Sequence, residues 1–183
     1  NATAGYFALQ SVVRTGFDEA LGRNPEVFSG RFYKPLDTAV PHQFFATSMV
    51  LTPLVRGLLG LEVDAPAGRL RVAPHMPAEW DTVRVEHLAV GEARLSLQLV
   101  RRGRELSLSV MREGIEKGRP ITVEFAPALP LGAGNIVRPT DGARLTARTY
   151  PGAVIPSDTA MLGDDVQLAV RWEGGWEVVP PRL

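Results

Sequence analysis

Apolar residues recur at helical spacing in two stretches near the start of the chain. The first has intervals of three and four residues, typical of one buried face of an α-helix, at Tyr6, Leu9, Val13, Phe17, Ala20 and Leu21. We predict a helix over residues 2–21, ended by Gly22, because glycine accepts the left-handed conformation common at helix C-termini. A second helix is predicted over residues 41–60. It is apolar nearly all round, so we expect it to be covered on several sides.

From Leu61 onward the apolar period changes from 3.6 to 2, which indicates strands with one buried face. The alternation covers residues 70–72, 83–85, 95–99, 106–110, 123–125 and 166–172. Glycine-centred turns such as Arg102-Gly103-Arg104 indicate hairpins between them. Because each strand has one wet face, a second sheet must cover the apolar sides. We therefore predict an antiparallel β-sandwich over residues 61–183, after a helical part over residues 1–60. Residues 127–156 are predicted to form a loop around one strand at residues 143–150.

Composition narrows the classes of function. The 183 residues contain 20 basic and 20 acidic side chains and no cysteine. The balanced charge favours neither nucleic acid nor an anionic membrane surface as a partner. The lack of cysteine excludes disulfides, thiolate metal sites and a cysteine nucleophile. The histidines at positions 42, 75 and 87 show no metal-ligand spacing, and no glycine-rich phosphate loop is present. We therefore expect neither a metal nor a cofactor.

A long loop, residues 22–43, joins the two predicted helices and concentrates the candidate chemistry. Glu26 follows Pro25. In a cavity its carboxylate has the chemistry of a general base, although the same residue also fits an exposed turn. Charged and aromatic residues alternate over residues 31–34, a mixture that suits either a sugar or an interdomain contact. The binding candidates from this reasoning are Arg31, Tyr33, His42 and Gln43, although a lone histidine is commonly a structural hydrogen-bond partner.

The sequences NPEVFSG, at residues 24–30, and DTAVPHQFFATSMVLTPLVRGLLGLEV, at residues 37–63, resemble the closing segment of the amylo-α-1,6-glucosidase family of glycogen-debranching enzymes. The resemblance implies an α+β fragment in which the last two helices of a catalytic (α/α)6 barrel precede the sandwich. It implies that Glu26 is the general base of an inverting hydrolase of α-glucosides, with α-1,6 branch points of glycogen-like glucans as a candidate substrate. It also implies a sugar contact at Gln43 with Phe44 or Phe45, where the family often has Gln-Ala-Trp.

The resemblance also implies a partner for this chain. The general acid of that family lies upstream, so we expect the chain to be inactive alone and to need an upstream (α/α)6 barrel segment of the same parent protein. The chain enters helical periodicity directly at Asn1, which we interpret as the start of a fragment.

Two alternatives stay open at this point. One is a non-catalytic carbohydrate-binding or interdomain β-sandwich module, which exposed Trp172 and Trp176 side chains would favour. The other is a related barrel hydrolase of trehalase-like or mannosylglycerate type, with the same paired carboxylates and a different sugar.

Overall fold

Two short helices open the structure. The computed structural model describes residues 2–17, 21–27, 29, 31–32, 34–40, 43–114 and 119–174. Helix α1 (Ala2–Thr15) and helix α2 (Phe44–Thr52) are followed by a π-helix (Pro53–Leu58). No helix in this part of the chain is long and apolar enough to cross a membrane.

The predicted fold class, with the last two helices of an (α/α)6 barrel, is wrong. The two α-helices of the described residues have 14 and 9 residues, and most of the regular secondary structure in those residues is β-strand. The spacing of apolar residues located the two helices, but it did not identify their buried faces or their ends. Val13 and Phe17 of the predicted α1 stripe are exposed. The second helix, which we expected to be covered on several sides, exposes Phe44, Phe45, Met49 and Leu51. Helix α1 ends at Thr15, six residues before the predicted end. Helix α2 ends before Pro53, since proline lacks an amide hydrogen and disturbs the helical ladder. The chain continues as a π-helix, with the Leu59 amide bonded to the Leu54 carbonyl at 2.9 Å.

Eleven strands follow the helices in the described residues. They are β1 (Leu61–Asp64), β2 (Arg69–Val72), β3 (Thr82–Val90), β4 (Ala93–Arg102), β5 (Glu105–Glu113), β6 (Ile121–Phe125), β7 (Gly134–Val137), β8 (Ala147–Tyr150), β9 (Ala153–Pro156), β10 (Asp158–Leu162) and β11 (Asp165–Glu173). One sheet has the order β1-β2-β6-β10, a second has the order β3-β4-β5-β11-β7, and β8 pairs with β9. The β2–β6 pair is parallel, and the other pairs are antiparallel.

The four- and five-stranded sheets share one hydrophobic core. Alternate residues of β4 and β5, including Leu97 and Leu108, are buried in the same cluster as Val123 of β6 and Leu70 of β2. This is a sandwich-like arrangement, and the period-2 pattern correctly identified the strands that carry most of it. The region predicted as a loop around one strand contains three strands, β7, β8 and β9.

Helix α1 is fixed to the sandwich through its first turns. The Tyr6 ring lies edge-on to Trp80, with ring centroids 5.0 Å apart. The Thr3 hydroxyl accepts a hydrogen bond from the Ala78 amide at 3.1 Å. The π-helix is held in the same region, because the His75 amide donates to the Leu58 carbonyl at 2.8 Å. These contacts join the predicted helical part, residues 1–60, to the predicted sandwich, residues 61–183. The division of the chain into these two domains stays a prediction.

Candidate functional site

A cleft of about 590 Å³ opens between the two helices and the loop that joins them. Its walls include Val12 and Thr15 of α1, Ala46 and Met49 of α2, and Glu26 and Arg31 of the loop. Two residues that the sequence singled out, the candidate base and a candidate sugar contact, therefore lie on one cavity.

Asn24 lines the cleft and holds its walls together. Its buried side-chain amide donates to the Val12 carbonyl at 2.6 Å and to the Thr15 hydroxyl at 2.7 Å. The backbone carbonyl of Asn24 accepts a hydrogen bond from the Gln43 backbone amide at 3.0 Å. Asn24 thus ties the end of α1 to the start of α2. Asn24 is held by these hydrogen bonds and Pro25 has a fixed φ angle. The two residues that precede Glu26 are therefore both restrained.

The backbone of Glu26 is paired, and its exposed carboxylate keeps free acceptor capacity. The Glu26 amide donates to the Val40 carbonyl at 2.9 Å. The Val40 amide approaches the Glu26 Oε2 at 3.5 Å, a long and weak bond. An ionised carboxylate has about four acceptor positions, so this group is able to bind water or a hydroxyl in the cleft.

Arg31 and Phe32 form a cation–π pair beside Glu26. The guanidinium carbon of Arg31 lies 5.3 Å from the Phe32 ring centroid, within the range of cation–π attraction. The Ser29 hydroxyl accepts hydrogen bonds from both of their amides, each at 3.2 Å. Phe32 is exposed and lines the cleft. A carboxylate, a guanidinium and an aromatic ring on one cleft are the groups that recognise a sugar through its hydroxyls and its C–H face.

The other predicted sugar contacts that the structure describes, Gln43 and Phe44, are not among the residues that line the cleft. Gln43 is half-buried at the start of α2. Phe44 is exposed and packs edge-on against Phe45, with ring centroids 6.4 Å apart, while α2 contributes Ala46 and Met49 to the cleft. Tyr33 and His42 lie outside the described residues.

The tryptophans of the sandwich do not present a stacking surface where the structure describes them. Trp172 is only 2% exposed and belongs to the core. Trp80 is half-buried against Tyr6, and Trp176 lies outside the described residues. The burial of Trp172 weakens the alternative of a sandwich that binds sugar through paired tryptophans.

A second polar cluster on the five-stranded sheet escaped the sequence prediction. His87 lies at a bulge of β3, between Val85 and Leu88, with a left-handed φ of 59°. The Glu113 carboxylate of β5 accepts hydrogen bonds from the His87 amide at 2.9 Å and from the Ser96 hydroxyl, and its Oε2 lies 2.7 Å from the His87 Nδ1. These hydrogen bonds, with that from Ser96 the largest, lower the pKa of Glu113 to about 2.

A signal for this bulge was present in the sequence. Apolar residues alternate at Val83 and Val85, and the next one is Leu88, so the period of two is broken by one residue. Within the described part of the chain, no group of three or more His, Asp or Glu side chains is placed to hold a metal ion.

Comparisons of the chain with protein-family models, with curated proteins and with solved structures found no match.

Proposed function

We propose that the cleft binds a sugar and that this chain supplies the general base, Glu26, of an inverting glycoside hydrolase acting on α-glucosides. The observation that carries the proposal is the presence of Glu26, Arg31 and Phe32 on the wall of one cleft. The local likeness of residues 24–30 to the amylo-α-1,6-glucosidase family supports the same assignment. Alpha-1,6 branch points of glycogen-like glucans are the first substrate to test.

Inverting hydrolysis needs two carboxyl groups on opposite faces of the sugar ring, roughly 6.5–9.5 Å apart. Glu26 takes a proton from a water molecule whose oxygen forms a new bond to the anomeric carbon. The bond from that carbon to the glycosidic oxygen breaks, and a protonated acid gives its proton to the leaving oxygen. Glu26 is the only carboxyl group that lines the cleft within the described residues. In our proposal a further polypeptide segment supplies the acid, as the family resemblance implies, and the chain alone is inactive.

Arg31 and Phe32 orient the sugar in this scheme. The guanidinium donates hydrogen bonds to hydroxyl groups, since it has five donors and no acceptor. The Phe32 ring gives an apolar surface for the C–H face of the ring. Tyr33, His42, Gln43 and Phe44 stay predicted contacts.

The first experiment separates binding from turnover. The isolated chain is titrated with an α-1,6-linked glucose trisaccharide, followed by amide chemical shifts and by release of glucose. We expect shifts at Arg31 and Phe32, loss of binding in Arg31→Gln and Phe32→Ala, and no glucose. Binding that survives both substitutions would contradict the proposal.

The second experiment tests the role of Glu26. Hydrolysis is measured after the chain is combined with a segment that supplies the acid. Glu26→Gln is expected to abolish glucose release and to leave sugar binding intact. The matched control is Glu92→Gln, an exposed glutamate in the turn between β3 and β4. Equal activity of the Glu26→Gln and Glu92→Gln proteins would remove the general base from the proposal.

A different sugar is the main competing assignment, because a trehalase-like or mannosylglycerate-type hydrolase uses the same pair of carboxyl groups. The same titration with α,α-trehalose and with mannosylglycerate separates these cases. A preference for either over the glucose trisaccharide would keep Glu26 as the base and change the substrate class.

A further inference from the structure

Strand β3 forms one edge of the five-stranded sheet. The strand order is β3-β4-β5-β11-β7, and within the described residues β4 is the only strand that pairs with β3. The outer side of β3 therefore carries backbone groups with no strand beside them, and such an edge is a template on which a further strand can pair. Because β3 has nine residues, it lacks the short length that protects many edge strands.

The side chains along β3 are complementary to a second copy of the same strand. Arg84 and Glu86 are exposed on one face, with an ion pair of 3.8 Å between them. If two copies pair in antiparallel order about Val85, Arg84 of each copy lies opposite Glu86 of the other, because an antiparallel pair with twofold symmetry exchanges these positions. On the other face, Val83, Val85 and Leu88 are half-buried at the margin of the core. Pairing of two copies would bring these apolar rows together and cover them further.

A bulge interrupts this edge near its centre. The ladder with β4 is regular up to Val85 and resumes at Leu88. Glu86 and His87 therefore lie together opposite Ser96, and His87 has a left-handed φ of 59°. A bulge of this kind bends the strand and disrupts its ladder. A second copy paired about Val85 would reach the bulge directly after Glu86, so the new ladder would end one residue to either side of its centre.

Glu113 holds the bulge from β5, on the far side of β4. Its carboxylate accepts hydrogen bonds from the His87 amide at 2.9 Å and from the Ser96 hydroxyl, and its Oε2 lies 2.7 Å from the His87 Nδ1. A left-handed backbone is uncommon for a residue with a side chain and costs free energy. The contacts of Glu113 offset that cost and keep His87 in this conformation.

We propose that the His87 bulge, held by Glu113, prevents β3 from pairing with a second copy of this chain. The core does not require the extra residue. Without His87, the residues Val83, Val85 and Leu88 would follow one another with a period of two, which is the spacing of one strand face. The bulge therefore alters the edge of the sheet and leaves the inward-facing side chains where they are. The inference does not depend on sugar hydrolysis.

Deletion of His87 tests the proposal. The deletion should straighten β3, while Val83, Val85 and Leu88 still face the core. The mass of the full chain is measured by sedimentation equilibrium over a range of concentrations. We expect the dissociation constant of a two-chain species to be at least tenfold lower for the deletion variant than for the wild-type chain. Equal dissociation constants for the two proteins would overturn the proposal.

A second variant releases the bulge without shortening the chain. Glu113→Ala removes the acceptor of the bulge hydrogen bonds, and His87→Val adds a β-branched side chain, which disfavours the left-handed region. The two substitutions together should also favour the two-chain species. His87→Gly is the matched control, since glycine adopts the left-handed conformation without strain and keeps the amide that Glu113 binds. It should sediment as the wild-type chain does, and association as strong as that of the deletion variant would contradict the role of the bulge. Thermal unfolding of each variant shows that the fold is retained.

Charge reversal identifies the surface that associates. In the deletion variant, Arg84→Glu places like charges opposite each other and should raise the dissociation constant at least tenfold. Adding Glu86→Arg exchanges the two charges and should restore association. Arg148→Glu, at an exposed arginine of β8, is the control for a change of charge and should have no effect. A two-chain species that is insensitive to Arg84→Glu, or that is lost in Phe44→Ser, would place the contact on another surface and overturn the proposal.

Discussion

The Glu113 carboxylate accepts a hydrogen bond from the His87 backbone amide at 2.9 Å, and its Oε2 lies 2.7 Å from Nδ1 of the His87 ring. His87 has a left-handed backbone, which is uncommon for a residue with a side chain. Because Glu113 lies on β5 and His87 on the edge strand β3, the contact spans three strands and holds the bulge in place.

This contact makes stability sensitive to acid. The pKa of Glu113 falls from its ordinary value of 4.5 to about 2 in the folded protein, chiefly through the Ser96 and His87 hydrogen bonds. The folded state thus binds this proton less readily than the unfolded state does. Its contribution to stability is complete above pH 4.5 and is lost as the pH falls towards about 2. Glu113→Gln should flatten the dependence of the unfolding free energy on pH in that range, whereas Glu92→Gln should not. An unchanged slope would mean that other carboxylates carry the acid dependence.

Asn24 should be a stability determinant of the helical part. Asn24→Ala removes one buried and one partly buried hydrogen bond and leaves the Thr15 hydroxyl and the Val12 carbonyl with fewer partners. We expect a loss of about 1–3 kcal/mol in the unfolding free energy from denaturant titration. Asn135→Ala, which removes one exposed bond to Glu173, should cost less than about 1 kcal/mol. A double-mutant cycle with Thr15→Val measures the coupling, and independent effects would show that the two side chains do not act together.

Gly60 should not tolerate a side chain. It joins the π-helix to β1 with a φ of 60°, and a Cβ atom there would lie 1.9 Å from the Ala73 carbonyl oxygen. Gly103 has the same φ of 60° with open space around it. Gly103→Ala should therefore cost about 1–2 kcal/mol from the backbone alone, and Gly60→Ala should cost clearly more. Similar thermal midpoints for the two variants would show that the junction moves freely.

The buried Asp158 should matter more than its exposed neighbour. Arg138 donates two hydrogen bonds to Asp158, at 2.9 Å and 2.7 Å, and one to Asp141 at 2.8 Å. The Asp158 side chain is 3% exposed and that of Asp141 is 51% exposed. Asp158→Asn should lower the unfolding free energy by about 1.5–3 kcal/mol, because it weakens two hydrogen bonds between charged groups at a buried carboxylate. Asp141→Asn should have a smaller effect, since exposed pairs contribute little. The reverse order would place the main stabilising contact at Asp141.

The sequence predicted the strands better than their pairing. Residues 95–99 and 106–110 alternate clearly and lie in β4 and β5, because a meander of neighbouring strands leaves a local pattern. The parallel pairing of β2 with β6 leaves no such pattern. The short strands β7 and β9 were missed, since proline, glycine and threonine obscure the period in residues 127–156, whereas β8 lies within the one strand predicted there, at residues 143–150.

The candidate site was predicted in part. The chemistry of the loop led to Glu26 and Arg31, which share a cleft. The hydrogen bonds from Asn24 to Val12 and Thr15 were not predicted, because they depend on how close the loop lies to α1 in the folded chain. The fold class that we inferred from a glucosidase-like pattern in residues 24–30 and 37–63 was wrong, since short motifs carry no information on helix ends such as Thr15.

The parallel pair of β2 and β6 sets the order in which the chain can fold. Arg71 and Glu124, which are opposite each other in this pair, are 53 residues apart in sequence. The hairpins of β3, β4 and β5 need only local loops and can form early, whereas joining β2 to β6 closes a long loop and comes late. During synthesis one hydrogen-bonding edge of β2 therefore stays unpaired until residues 121–125 emerge, so a chain that stops before that point leaves an open strand edge in the four-stranded sheet.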